Sequence, residues 1–291
     1  MKEYLKIGRI NYINLFPIFY MLERGSDCSA YEIVEGVPSN LNALLREGLI
    51  DISPSSSIEY LRHKERYSII GGHSISSFGE IKSILLFSKK PIKELDGSTV
   101  LTSSQSETSV VLLDIVFKKF YGINCPLRTS SEPLFNALES HQAYLLIGDE
   151  AMREYKKGQG TRGKSACASP HADRGQRVRS ESTSYELYTY DLGDIWHKET
   201  GLPFVFALWI ARKDCCIENP ELFKKFKKDL DSAKETAIRN FKEIAKVSPL
   251  KDILTQDETV RYWQGISYDL NEEHLRGLDL FRKYAGEFNL L

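Results

Sequence analysis

Strand-length apolar runs alternate with helix-length periodic segments along most of this 291-residue chain, and that alternation restricts it to an α/β fold. The first such succession is Lys6-Ile7-Gly8-Arg9-Ile10-Asn11-Tyr12-Ile13-Asn14-Leu15-Phe16-Pro17, where a strand over residues 5–10 enters an Asn-bearing turn and then a helix over about 17–24. A second strand at 31–35 follows the turn at Gly25 to Asp27, which opens a βαβ unit. Ligands of open α/β sheets bind beyond the carboxyl ends of the strands, so Asn11, Tyr12 and Asn14 are candidate ligand contacts. An ordinary turn is the competing reading, because Asn stabilises bends by bonding its own backbone.

The pattern repeats. Ser39 is a candidate N-cap for a helix ending at Gly48, and Leu49 to Ile52 reads as a short strand. Ser53 to Ser57 then reads as a turn opening a helix, with Ser56 and Glu59 at capping-box spacing. Strands are predicted at 82–88 and 99–102, the second followed by Ser103 to Ser109 and a helix with Val110, Leu113, Val116, Phe117 and Phe120 on one face. A helix at 132–139 leads to a strand at 143–147, whose end carries Gly148 and Asp149. Residues 156–184 are rich in Gly, Ser, Lys and Arg and read as a mobile surface insertion. The near-continuous apolar run 204–211 has the character of a buried strand, and the chain is helical from Pro220 onward. Tyr262, Trp263, Phe281 and Tyr284 in that region read as packing residues.

Strands 82–88 and 204–211 bracket a middle segment with its own βα pattern, so two crossings between two lobes are expected. Residues 1–87 with 205–291 would form a discontinuous first lobe and 88–204 the second, with a ligand cleft between them. Each serine run lies between a strand and a helix start, where hydroxyls and backbone N–H groups suit an anion. Ser55 and Ser56 on one side, and Ser106, Thr108 and Ser109 on the other, are therefore candidate contacts for a ligand with two carboxylates. Plain helix capping would use the same serines. Gly148 and Asp149 occupy a strand end suited to a ligand, and His73 is a candidate loop base or an inert loop histidine.

Several classes are disfavoured. Lys plus Arg number 39 against 40 Asp plus Glu, a net charge of −1 that points away from nucleic acid and anionic membranes and toward a small-molecule partner. Five cysteines form no CxxC pair and six histidines no HExxH, so no metal is expected. Gly71-Gly72-His73 lacks the spacing of a phosphate loop, and no GxSxG elbow occurs, so neither a nucleotide cofactor nor covalent hydrolysis is indicated. No run approaches the roughly 20 apolar residues of a membrane span, and no secretory leader pattern opens the chain, which predicts a soluble cytoplasmic protein. Oligomeric state has no signature here.

Taken in order, the opening Gly-Arg-Ile-Asn-Tyr-Ile-Asn with Pro17, Gly36-Val37-Pro38-Ser39-Asn40-Leu41-Asn42, Gly48 to Ile52, Ser55 to Tyr60, Leu146 to Ala151, Tyr190-Asp191-Leu192-Gly193 and Thr200 to Ala207 resemble the chorismate dehydratase family of the futalosine route to menaquinone. The resemblance spans nearly the whole chain. It implies a two-lobed α/β architecture like the type II periplasmic binding proteins and conversion of chorismate to 3-[(1-carboxyvinyl)oxy]benzoate with loss of water, without a cofactor. It also implies catalytic roles for Asn14 and Ser83, as groups that orient the substrate or polarise the leaving hydroxyl. The insertion at 156–184 departs from the family. A non-catalytic cytosolic carboxylate-binding protein is the alternative of another class, and the related 1,4-dihydroxy-6-naphthoate synthase, which opens differently, is the lesser fit.

Overall fold

The apolar runs become the inner strands of two mixed sheets. The computed structural model describes residues 3–25, 27–159, 176–179 and 186–291. In chain order the first elements are β1 (Leu5–Arg9), α1 (Phe16–Gly25), β2 (Tyr31–Glu35), α2 (Pro38–Arg46), β3 (Ile52–Ser56), α3 (Ser57–Arg62) and β4 (Tyr67–Ser77). They are followed by β5 (Ile84–Ser88), β6 (Val100–Ser103), α4 (Glu107–Ile115), β7 (Leu127–Ser130), α5 (Leu134–Ser140), β8 (Ala143–Ile147), α6 (Gly148–Gln159), β9 (Gln176–Arg179), β10 (Glu186–Asp191) and α7 (Leu192–Thr200). The last stretch holds β11 (Phe204–Arg212), α8 (Lys213–Glu218), α9 (Pro220–Arg239), α10 (Phe241–Ala245), α11 (Gln256–Gly265) and α12 (Glu272–Glu287).

The first unit comprises Met1–Phe78, Leu202–Arg282 and Leu291. Its sheet has the order β2-β1-β3-β11-β4, in which β1, β2 and β3 are parallel and β11 runs antiparallel to both neighbours. One edge of the sheet therefore gathers the carboxyl ends of β1, β3 and β4 with the start of β11, where Ser56 pairs with Ala207 and Ser77 with Phe204. Trp209 on β11 packs its ring 5.4 Å from Phe19 of α1 and 6.0 Å from Phe226 of α9, so the long helix is fastened to the sheet through aromatic contacts.

The second unit comprises Gly79–Gly201 and Lys283–Leu290. Its sheet has the order β7-β6-β8-β5-β10-β9, with β6, β7 and β8 parallel and β5 antiparallel to β8 and β10. The carboxyl ends of β6, β8 and β10 thus share an edge with the start of β5. Phe87, Leu101, Tyr144, Leu146 and Leu187 are buried in its core against α5.

Strands 82–88 and 204–211 do not pass between sheets: β5 lies between β8 and β10, and β11 between β3 and β4. The chain changes unit after Phe78 and again at Leu202, so the residues up to 87 assigned to the first lobe end in the second unit, and 283–290 belong there as well. Ladder bonding decides this, since β5 pairs along its whole length with Ala143–Ile147. The serine run is strand rather than turn. β3 occupies Ile52–Ser56, buried throughout, and small side chains are required where Gly8 of β1 comes so close that a Cβ on it would stand 2.6 Å from Ser53 Oγ. Pro54 is tolerated because β1 pairs with β3 only at Ile7 and Ile52, leaving no ladder bond for it to break on that side.

Ser39 does not cap α2, because Pro38 takes the first helical position and Val37 the cap. His73 is not in a loop but on the 11-residue β4, where the pairing shifts register near Gly71 and Gly72, a bulge that the two glycines permit. Of the segment 156–184, residues up to 159 complete α6 and 176–179 form β9 against β10, while 160–175 and 180–185 lie outside the described residues.

Candidate active site

In the first unit, β1 leads into the turn at Asn11 to Asn14 at the carboxyl edge of the sheet. Asn11 is exposed and its amide donates to Glu35 Oε2 at 2.9 Å, so it is committed to the neighbouring strand end. Tyr12 is half-buried, and its carbonyl starts α1 by accepting from the N–H groups of Leu15 and Phe16. Asn14 differs from both: among the described residues its Oδ1 is buried and has no hydrogen-bond partner. Two more side-chain oxygens of this unit share that condition, Ser55 Oγ on the adjacent strand and Asn42 Oδ1 on α2. Asn42 donates through Nδ2 to Ser56 Oγ at 3.3 Å. Buried acceptors without partners are costly and uncommon, which makes Asn14, Ser55 and Asn42 the candidate residues of this unit.

The expected capping box does not form here. Ser56 caps α3 without a side-chain bond, and Glu59 instead accepts from Tyr67 at 2.9 Å and pairs with Arg46. With six residues, α3 provides little dipole, and what Ser55 and Ser56 offer at this strand end is their hydroxyls. His73 is also removed from the role of exposed base: it is 2% exposed, with Nε2 2.7 Å from Asp231 Oδ1. Burial, together with the Lys234 charge, holds its pKa below the usual histidine value, against the pull of Asp231.

The second unit assembles another group. Ser83, 2% exposed, precedes β5, and its carbonyl accepts from Gly148 N–H at 2.7 Å. Gly148 has φ 62°, which a glycine adopts without strain, and this lets β8 turn at once into α6 with Asp149 in the first helical turn. Ser106 caps α4, accepting from Ser109 N–H at 3.3 Å, and its Oγ lies 2.9 Å from Ser109 Oγ. Thr108 and Ser109 are each 1% exposed. Capping is thus a present role of Ser106.

Three features escaped the sequence reading. Asn42 closes the Gly36 to Asn42 motif, and nothing in that motif signals its buried, unpartnered Oδ1. Asp191, at the end of β10, accepts from the backbone N–H groups of Ile81, Lys82, Gly193 and Asp194; burial pushes its carboxyl up to about 6 although these bonds pull the other way. The third is a relay at the same edge as Asn14, in which Ser267 Oγ lies 2.8 Å from His274 Nε2 and His274 Nδ1 2.7 Å from Asn271 Oδ1. Burial lowers the pKa of His274, which keeps the ring neutral near pH 7. The Asp191 contacts to Ile81 and Lys82 join residues 110 and 109 positions apart, whereas the Ser267, His274 and Asn271 group is local, with separations of 7 and 3.

Among the described residues, no group of three or more His, Cys, Asp or Glu side chains is placed to hold a metal, and no helix is long and apolar enough to cross a membrane.

A family model described as menaquinone biosynthesis matches residues 5–287. The chain is 27% identical to a protein from Thermus thermophilus named chorismate dehydratase, over 98% of this chain and 96% of that one. Among solved structures, a protein from Archaeoglobus fulgidus superposes with a TM-score of 0.73 at 17% identity, covering 100% of this chain and 99% of the other. The alkanesulfonate-binding protein SsuA from Xanthomonas axonopodis pv. citri, bound to MOPS, superposes with a TM-score of 0.64 at 12% identity, covering 100% and 94%. These likenesses show the periplasmic-binding-protein-like fold.

Proposed function

The chain belongs to the menaquinone biosynthesis family, and on that premise we propose that it is a chorismate dehydratase, a hydro-lyase that converts chorismate to 3-[(1-carboxyvinyl)oxy]benzoate and water. The observation that carries the reading is similarity to a chorismate dehydratase along almost the full length of both chains. The arrangement of side chains supports it. The substrate is a dianion, and the candidate residues other than Asp149 are uncharged donors and acceptors at the carboxyl edges of two sheets.

The reaction breaks the C3–H and C4–O bonds, forms the C3–C4 double bond that completes the aromatic ring, and combines the proton with the departing hydroxide as water. Aromatisation supplies the driving force, so the protein has chiefly to orient the ring and assist the leaving group. Asn14 and Ser83 hold the substrate or polarise the C4 hydroxyl in this reading. Neither an amide nor a hydroxyl is a base at neutral pH, and a carboxylate of the substrate takes the proton. Ser55, Ser56 and Tyr12 of the first unit, and Ser106, Thr108, Ser109, Gly148 and Asp149 of the second, contact the carboxylates and ring in this reading. Asn11, bound to Glu35, is left as a neighbour of this group.

Incubation of the purified protein with chorismate, followed by ultraviolet spectrum and product mass, tests the proposal. The expected product is lighter than chorismate by one water. Unchanged chorismate in the presence of folded protein would instead favour a carboxylate-binding protein of the same fold.

A further inference from the structure

The motif Tyr190-Asp191-Leu192-Gly193 has no place in the chemistry above, yet its carboxylate is among the most heavily bonded side chains of the second unit. Asp191 Oδ1 accepts from Gly193 N–H at 2.9 Å and Asp194 N–H at 3.2 Å, which is ordinary capping of α7. Its Oδ2 does something capping does not require. It accepts from Lys82 N–H at 2.6 Å and Ile81 N–H at 3.0 Å, from a segment 109 and 110 residues earlier in the chain.

Lys82 has φ 62°, and the only other non-glycine residue with positive φ, among those described, is Asn289 near the C-terminus. A lysine in the left-handed region is strained, and such conformations persist only where the surroundings hold them. The strained residue immediately precedes Ser83. The Ser83 carbonyl is in turn held by Gly148 N–H at 2.7 Å, so the serine is gripped on both sides, by a carboxylate before it and a peptide N–H after it.

We propose that Asp191 is a positioning residue: by holding the N–H groups of Ile81 and Lys82 it maintains the left-handed turn at Lys82 and thereby sets the placement of Ser83 toward the substrate. The inference rests on the dehydratase reading for the role of Ser83, but the grip of Asp191 on Lys82 is independent of it. Asp191 does not touch the reacting atoms. The lysine side chain is likewise irrelevant to the device, which works through the backbone alone.

Two double-mutant cycles separate these claims. In urea denaturation, Asp191→Asn is expected to destabilise the protein less when Lys82 is replaced by Gly, because glycine adopts positive φ unaided. Equal destabilisation in both backgrounds would overturn the grip. In turnover of chorismate, Asp191→Asn is expected to lower kcat about 100-fold with KM within about threefold, as for a misplaced catalytic group. In a Ser83→Ala background the same change should cost almost nothing further; a full additional loss would show that Asp191 does not act through Ser83.

Should Asp191→Asn fail to fold, Lys82 alone carries the test. Lys82→Gly retains kcat and Lys82→Val lowers it about tenfold or more, since a β-branched residue resists the left-handed region. Full kcat in Lys82→Val overturns the proposal. A wild-type protein that leaves chorismate unchanged sinks the dehydratase reading and the role of Ser83 with it, while the denaturation cycle still decides whether Asp191 holds Lys82.

Discussion

The hydroxyl of Tyr268 donates to the backbone carbonyl of Asn14 at 2.8 Å, across 254 positions of sequence. The indole N–H of Trp263 donates to the preceding carbonyl, that of Ile13, also at 2.8 Å. Two buried rings from the C-terminal part of the first unit therefore fix consecutive peptides of the opening turn. Burial raises the Tyr268 pKa well above that of a free phenol, so the group remains a donor across the whole working range.

Tyr268→Phe removes one O–H and leaves the ring in place. A buried hydrogen bond of this kind contributes about 1 kcal/mol net, and somewhat more if the carbonyl is left without water, so the unfolding free energy should fall by about 1–2 kcal/mol. Urea denaturation of the two proteins measures it. An unchanged midpoint would mean that the turn is shaped by its own sequence.

These contacts also show where sequence reading stops. Strand β8 and strand β2 are legible because apolar residues bounded by turn residues leave little alternative, and β11 because the continuous apolar run 204–211 must be buried. Strand β3 was misread since its serines are turn formers by propensity, and only the close approach of Gly8 makes small residues necessary there. Strand β4 was missed behind Gly71-Gly72, which mark a bulge inside a strand rather than the end of one. The Asn14 turn could be located from the sequence, and the resemblance singled out the residue. Its unpartnered Oδ1, its anchoring by Tyr268 and Trp263, and the carboxylate behind Ser83 are tertiary facts with no local signal.

The lone oxygen on Asn14 gives a prediction with two opposite signs. Deleting a buried acceptor that has no partner relieves a desolvation cost, so Asn14→Ala should leave thermal stability unchanged or slightly raised. The same change should lower kcat for chorismate on the order of 100-fold, comparable with loss of one preorganised hydrogen-bonding group at a reacting oxygen. Thermal melts and steady-state kinetics on one preparation check both. Full turnover would remove Asn14 from the mechanism, and a large stability loss would make it a structural residue.

Two glycines of the first unit should respond differently to one methyl group. A Cβ on Gly277 of α12 would stand 2.1 Å from the backbone oxygen of Pro203, and a backbone atom ahead of β11 has little room to retreat. A Cβ on Gly8 would stand 2.6 Å from Ser53 Oγ, a side-chain end that can rotate. Gly277→Ala is therefore expected to cost about 3 kcal/mol and Gly8→Ala about 1 kcal/mol, within the range for overpacked sites. Chemical denaturation ranks them, and the reverse order would refute the account of close approach at α12.

Acid should weaken the first unit through His73. Its folded-state pKa lies below the unfolded value, so below about pH 6.5 the unfolded chain binds a proton that the folded chain refuses, and stability falls as pH falls until the folded pKa is reached. His73→Gln removes this term. The stability difference between wild type and variant should then shrink from pH 7.5 to pH 5.5, whatever other groups such as Asp191 contribute, because those cancel in the comparison. Urea midpoints at several pH values measure the difference. The competing outcome is specific: if attraction to Asp231 at 2.7 Å outweighed burial, His73 would be a charged partner in the folded state and the difference would grow on acidification. Burial at 2% exposure and the nearby Lys234 cation both oppose that charge, while Asp231 is about half exposed and its field is screened by water, so the first sign is the expected one.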